Sequence, residues 1–250
     1  MRVAISQPTY LPWLGYIDLV DQADTFVLLD TVQFEKRSWR QRNRIKIPGG
    51  LSFLTVPVPV KGRFEQKILD VEIEGRSFVR KHVRSIERRY RRAPFFVRYF
   101  SELAHILDTC VVGTRLADLN VRLIQWLCRQ LGVTTRLLWS EIQQEGCRSE
   151  LLLNLCRASG ADSYLSSLGA ADYLLEGIPQ FSAAGVDVAF RHYEHPQYRQ
   201  QFPPFSSHAS VIDLIFDEGD RSLEILRSGR RPALRPAEAR LCEKEDVAGA

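Results

Sequence analysis

The sequence lacks any apolar run approaching the ~20 residues that a membrane-crossing helix needs, and 26% of its 250 residues are charged. No membrane span is expected. It also lacks a signal peptide: Met1-Arg2-Val3-Ala4-Ile5-Ser6-Gln7-Pro8 has no apolar h-region and no small-residue cleavage site, so a cytoplasmic location is expected. Cysteine is sparse and shows no pairing pattern. Cys110, Cys128, Cys147, Cys156 and Cys242 are odd in number and contain no C-x-x-C spacing. They are expected as reduced, mostly buried thiols rather than as a disulfide framework or a zinc site. There is no G-x-S-x-G elbow, Walker A loop or H-E-x-x-H pair, no internal repeat and no recognised nucleic-acid motif. Nothing names a cofactor, and DNA is not an expected partner.

What is present is a 45% hydrophobic chain, enough to bury a sizeable core, so most of it is expected to fold. The net charge of +4 conceals an uneven distribution. Residues 31–100 hold 18 Lys and Arg against 6 Asp and Glu, whereas the rest holds 16 against 24. The basic half is mostly arginine, whose planar fork suits phosphate and carboxylate, so an anionic ligand is expected there.

The element pattern is that of an α/β fold with a mainly parallel sheet. Val3-Ala4-Ile5 is a short buried strand, Pro8 to Gly15 a proline-bracketed aromatic turn, Tyr16 to Ala23 a helix and Phe26 to Asp30 a second strand, together a βαβ unit. Leu51 to Val60 is a further strand, its far end loosened by Pro57 and Pro59. Arg76 to Leu131 has three helical stripes, with Pro94 and Gly132 as punctuation. Strands at Thr134–Trp139, Ser163–Leu165 and Val186–Phe190 then alternate with a helix at Ser149–Ala158, and Ser210–Phe216 and Ser222–Leu226 are helical. The expected organisation is a βαβ part with a basic ligand loop over 1–75, a helical insertion or subdomain over 76–132, the remaining α/β part over 133–227, and a disordered tail over 228–250.

Five segments carry candidate chemistry. Gln7, Pro8, Tyr10, Trp13, Gly15 and Tyr16 lie in the loop after the first strand, where α/β sheets place ligands, and Gly15 allows close backbone approach at a helix start that favours an anion. Asp30 and Gln33 follow the second strand and should face the same crevice, Asp30 as a base or orienting carboxylate. Lys36 to Lys46 is the densest cationic stretch. Here Arg37, Arg42 and Arg44 are placed to clamp a pyrophosphate while Trp39 stacks on a base or sugar, with Asn43 between them; a nucleic-acid backbone would use the same parts. Tyr164 lies in a later strand, and the Ser166 and Ser167 hydroxyls just after it are either helix caps or anion donors. In His192-Tyr193-Glu194-His195-Pro196, His195 beside Glu194 is the preferred general base and His208 a second; the H-x-x-H pair alone is weak evidence for a metal.

Gln7 to Tyr16, Leu29 to Phe34, Lys36 to Ile45 and Leu54 to Val58 resemble signature blocks of the WbqC-like family, and Tyr164-Leu165-Ser166, Asp172-Tyr173-Leu174, Tyr193 to Pro196 and Ser210 to Leu214 agree with it. The chain departs from the usual residues at Gln41, Ser167-Leu168 and Asp217. The resemblance implies a bacterial protein of surface-polysaccharide (O-antigen) gene clusters. It further implies a transferase that adds an amino-acyl group such as glycyl to a nucleotide-activated amino sugar, with tRNA or a carrier protein as donor of that group. Leu14-Gly15-Tyr16 also sits where nucleotidyl-transferring α/β enzymes carry the centre of an H-x-G-H loop, but both histidines are absent. The alternatives are an ATP-dependent adenylating enzyme on a degenerate scaffold of that kind and a non-catalytic RNA- or polyanion-binding protein.

Overall fold

A computed structural model describes residues 1–111, 113–139, 142 and 144–240. Among the described residues eight strands run β1 (Arg2–Ser6), β2 (Thr25–Leu28), β3 (Arg42–Ile47), β4 (Gly50–Thr55), β5 (Arg136–Leu138), β6 (Ser163–Ser167), β7 (Asp187–Tyr193) and β8 (Arg230–Leu234). The helices are α1 (Leu14–Asp21), α2 (Ser77–Tyr90), α3 (Phe96–Asp108), α4 (Leu116–Leu131), α5 (Arg148–Ala158), α6 (Ala171–Leu174), α7 (Ile178–Ala183), α8 (Val211–Glu218) and α9 (Ser222–Ser228).

Six strands form one sheet in the order β5-β2-β1-β6-β7-β8, parallel except for β8, so the expected α/β class holds. Side chains alternate across it. Ala4, Phe26 and Leu165 face a core built with α1, α4 and α8, while Val3, Ile5, Val27 and Tyr164 face a second core with α5, α6 and α7. Parallel strands covered on both faces are apolar throughout, which is why β1 and β2 have no polar alternation. The helices α2, α3 and α4 contribute to the same core as α1 and α8: Phe96 packs against Phe216, and the Phe95 amide donates to the Phe216 carbonyl at 3.0 Å.

Two expectations are corrected. Lys36 to Lys46 is not one loop, because Arg42–Ile47 pairs antiparallel with β4 as a separate two-stranded hairpin turning at Gly49, whose φ is 77°. Asn43 and Ile45 point inward and are buried, whereas Arg42 and Arg44 point outward; buried Lys46 breaks the period that would have marked the strand. The stretch from Ser228 is not disordered over its described part. Arg230–Leu234 joins the main sheet beside β7, and the charges that suggested disorder have partners: the Arg230 Nε donates to Asp18 at 2.6 Å and Arg231 to Glu194 at 2.5 Å. Residues 241–250, including Cys242, lie outside the described residues. Cys110, Cys128 and Cys156 are buried free thiols and Cys147 is exposed. Among the described residues no helix is long and apolar enough to cross a membrane.

Two buried amides fix the loop after β1. The Asn120 Nδ2 on α4 donates to the carbonyls of Pro8 (3.0 Å) and Arg40 (2.7 Å), and the Asn43 Nδ2 on β3 donates to those of Tyr10 (3.2 Å) and Leu11 (2.8 Å). Leu11 has φ of 42°, an unfavourable value for a leucine that these bonds help to hold. Replacing Asn120 by Ala strands two carbonyls, each costing about 1–3 kcal/mol. The expected outcome is a loss of about 3 kcal/mol with an unchanged m-value, read by urea unfolding.

Candidate functional site

The strand order reverses at β1. Its neighbour β2 follows through α1, while β6 on its other side arrives only after the chain has built β5 beyond β2. At such a switch point the loops leaving adjacent parallel strands diverge and open a crevice at their carboxyl ends. A cavity of about 570 Å³ lies there. Its floor comes from the ends of three strands: Ser6 and Gln7 after β1, Ser166 and Ser167 of β6, and Arg191, His192 and Tyr193 of β7. Trp13, Gly15 and Tyr16 enter from the start of α1, Trp39, Arg40 and Asn43 from the hairpin side, and Tyr173 from α6.

Two arginines set the electrostatics. Arg191 lies with its guanidinium 5.5 Å from the Trp13 ring centroid and 5.4 Å from that of Tyr193. Its Nε and Nη1 are buried and have no hydrogen-bond partner. Burial lowers its pKa, an effect that the nearby Asp18 carboxylate opposes. Arg40 is also pushed down by burial; its Nε donates to the Gln7 side chain and its Nη1 to Glu35 at 2.9 Å. A guanidinium shielded from water and short of acceptors favours an anion that brings oxygens to it. The Thr9 hydroxyl, buried and without a partner, lines the same space.

Gly15 is dictated by this packing. A Cβ there would meet the Trp13 ring at 2.2 Å, so only glycine lets the indole fold back over the start of α1. Trp13 in turn packs against both His195 (centroids 6.2 Å, stacked) and His208 (4.9 Å), which are themselves 5.2 Å apart, and it meets Tyr193 edge-on.

Of the residues singled out from sequence, the cavity brings together Gln7, Trp13, Gly15, Tyr16, Trp39, Asn43, Tyr164 and Ser166. Pro8 and Tyr10 support it from behind. The Tyr10 hydroxyl pairs with the His82 Nδ1 at 2.8 Å in the core, where burial drops the His82 pKa to about 4. Asp30, His195 and Glu194 do not line it. The Asp30 Oδ2 accepts from the Trp139 Nε1 at 2.7 Å, and burial raises its pKa; Glu194 is turned to Arg231. His195 is packed among Trp13, Tyr198, Phe205 and His208, with Nδ1 against the Pro196 carbonyl at 2.9 Å and a buried, unpartnered Nε2. Gln33 is exposed and donates to the Phe64 carbonyl at 2.6 Å. Arg37, Arg42 and Arg44 lie outside: Arg37 is exposed with φ of 59°, Arg42 sits 4.4 Å over the Phe53 ring and Arg44 5.2 Å over Trp39.

Ser167, a candidate anion donor in the sequence, also lines the cavity, whereas Arg40, Arg191, His192 and Tyr173 were not chosen from sequence as binding residues. Arg191 and His192 had a usable signal, being the first polar residues after the apolar end of a parallel strand, where α/β sheets bind ligands. Among the described residues no group of three or more His, Cys, Asp or Glu is placed to hold a metal ion.

The buried imidazoles make acid stability a test of this packing. Burial first, and then the neighbouring His208, hold His195 at about 4 against an ordinary 6.5, while the Pro196 carbonyl works the other way. Above pH 6.5 both folded and unfolded states keep it neutral. Below that the unfolded chain takes the proton first, so stability falls from pH 6.5 to about 4, and His82 acts in the same direction. The expected outcome for His195→Phe is a flatter decline of the urea midpoint across that window.

Rv1507c, an uncharacterized protein of Mycobacterium tuberculosis, is 37% identical over 236 residues, spanning 92% of this chain and 99% of its own length. No solved structure matches. The WbqC-like protein family matches over residues 7–225, a stretch that contains every wall of the cavity except part of the β1 floor. The chain therefore belongs to the WbqC-like protein family.

Proposed function

We propose that the protein is a transferase that places an amino-acyl group on the amine of a nucleotide-activated amino sugar, chemistry that serves bacterial surface polysaccharides. The carrying observation is Arg191, a buried guanidinium with two unpartnered nitrogens at the switch-point edge of the sheet, flanked by aromatic rings. A pyrophosphate satisfies such a group as a solvent-exposed surface anion cannot, because the cavity has already removed the competing water. Arg40 supplies a second cation, Trp13, Tyr16 and Trp39 give flat apolar faces for sugar and base, and Ser166, Ser167 and Tyr173 offer hydroxyls for the sugar.

An attacking amine must shed a proton as the amide forms. His192 is the imidazole that lines the cavity, at the carboxyl end of β7 next to Arg191, and this reading assigns it the proton. The base expected from sequence, His195, becomes a positioning residue that holds the Trp13 ring. The Ser166 and Ser167 hydroxyls stand at the end of the neighbouring strand, where they can donate to the developing oxyanion of the acyl carbonyl.

The test is a thermal-shift and calorimetric screen of nucleotide sugars against wild type, Arg191→Gln and, as control, Arg84→Ala on the outer face of α2. Selective stabilisation by one nucleotide sugar is expected. Arg191→Gln should weaken it about tenfold to a hundredfold, since hydrogen bonds to charged groups contribute roughly 1.5–3 kcal/mol. Arg84→Ala should bind as wild type. Undiminished binding by Arg191→Gln rejects the site. A second variant, His192→Gln, should keep binding and lose turnover; full turnover would remove His192 from the chemistry.

A further inference from the structure

The cavity leaves the densest basic feature of the chain without a role. Residues 36–64 carry eight Lys and Arg and no Asp or Glu, yet only Arg40 of these cations lines the cavity. The others include Arg42 and Arg44, which stand on the outer face of the hairpin. On that face Arg44 is the register partner of Phe53, the Arg42 guanidinium lies over the Phe53 ring, the Arg44 guanidinium lies over Trp39, and the Trp39 and Phe53 rings are 6.2 Å apart. Trp39 is 47% and Phe53 46% exposed. Among the described residues Lys36, Arg37, Arg42 and Arg44 form no ion pair. The surface is thus a ladder of half-exposed rings and uncompensated guanidiniums, and it is continuous with the cavity because Trp39 belongs to both.

We infer that this face of the hairpin binds a single-stranded RNA end, with bases stacked on Trp39 and Phe53 and phosphates held by Arg37, Arg42 and Arg44, so that the RNA terminus reaches the cavity mouth. Flat rings with cations at their edges fit unpaired bases, which offer a π-face on each side and a phosphate between. A duplex hides those faces, and its bases stay stacked on one another. An acidic protein would engage the cations and leave two aromatic faces unused, so the rings decide between the two partners.

The inference rests on the aminoacyl-transfer reading and names the donor class that reading needs. A free carboxylate does not condense with an amine unaided, so the acyl group has to arrive activated. An amino-acyl ester on a terminal ribose is already activated. The sugar amine attacks the ester carbonyl, the N–C bond forms and the C–O bond to ribose breaks. The proton shed by the amine ends on the departing ribose hydroxyl, so no further reactant is required.

Fluorescence anisotropy tests the surface without reference to the sugar site. The probes are a labelled RNA stem with a short single-stranded 3′ tail and the same stem with a blunt end. The tailed stem is expected to bind more tightly, with an affinity that falls steeply as salt rises. Phe53→Ser should weaken the tailed stem about tenfold or more, leave blunt-stem binding unchanged, and be rescued by Phe53→Trp, which keeps a stacking face. Equal binding of the two stems overturns the inference, as does wild-type affinity in Phe53→Ser. Binding of an acidic acyl-carrier protein that the tailed stem does not displace overturns it in favour of a protein donor. A protein that binds a nucleotide sugar but not the tail loses this inference alone; one that binds the tail but no nucleotide sugar loses the transferase reading and keeps the RNA surface.

Discussion

Everything at the ligand edge depends on how the backbone of residues 8–13 is satisfied away from water. This loop leaves the sheet without regular structure, and a buried loop with unpaired carbonyls costs more than it can return in packing. Asn43 and Asn120 meet that demand from two different elements, one on the hairpin and one on α4. The Pro12 carbonyl accepts from the Val211 amide at 2.8 Å, and the Arg44 carbonyl from the Ser210 amide at 2.8 Å, so α8 is pinned to both. The loop therefore ties hairpin, α4 and α8 to one another. Because its carbonyls are occupied, Trp13 can turn over Gly15 and present a face to the cavity.

A second set of buried polar groups holds the irregular segment after β7 beneath that loop. Lys46 and Asp213 are fully buried. Lys46 donates to the Pro204 carbonyl and to the Ser206 hydroxyl at 2.8 Å, while Tyr198 and Gln200 each donate to Asp213 at 2.9 Å. Groups this deep are retained only where each charge is compensated, and the partners here come from the segment together with Tyr90 at the end of α2. His195 and His208 are carried by the same stretch and cover the back of Trp13. Asp217, one turn further along α8 and bonded to Gln201, is raised to about 7, chiefly by burial and also by the nearby Asp213. Neutral and charged forms of Asp217 are thus close in free energy near neutral pH.

Sequence pattern revealed the sheet because its strands are short, apolar and separated by helices of ordinary period. It revealed the first-strand loop because prolines and aromatics there have no other use. It failed where a local feature is decided at a distance. Arg42 and Arg44 look like ligands in a linear reading, but the strand period sends them to the outer face while Asn43 turns inward. Arg230 and Arg231 look like solvated tail charges, yet their acceptors lie on α1, 212 residues away, and just after β7, 37 residues away. Asp30 follows its strand as expected, but Trp139, from the end of β5 on the other side of β2, takes up its carboxylate. None of these pairings leaves a mark at either residue's own position.

The uneven charge of the chain resolves into three environments with different consequences. Arg40 and Arg191 are desolvated inside the cavity, where Coulomb attraction is strong and little screened by salt, so they govern affinity for a small anion. Arg37, Arg42 and Arg44 are in contact with water, where attraction is weak for one charge and grows only with the number of phosphates engaged, so they suit a longer polyanion. The exposed cations of α2, Arg80, Lys81, Arg84 and Arg88, lie further along the same basic stretch with no aromatic face beside them in the ring contacts of the described residues. They add long-range attraction without geometry. On the proposed reading a polyanion would be drawn by the whole region and oriented by the rings of the hairpin, with its terminus at the cavity where the buried arginines would hold a different anion. On the proposed reading, cations of different burial, Arg191 of β7 among them, would serve two anionic partners at separate places.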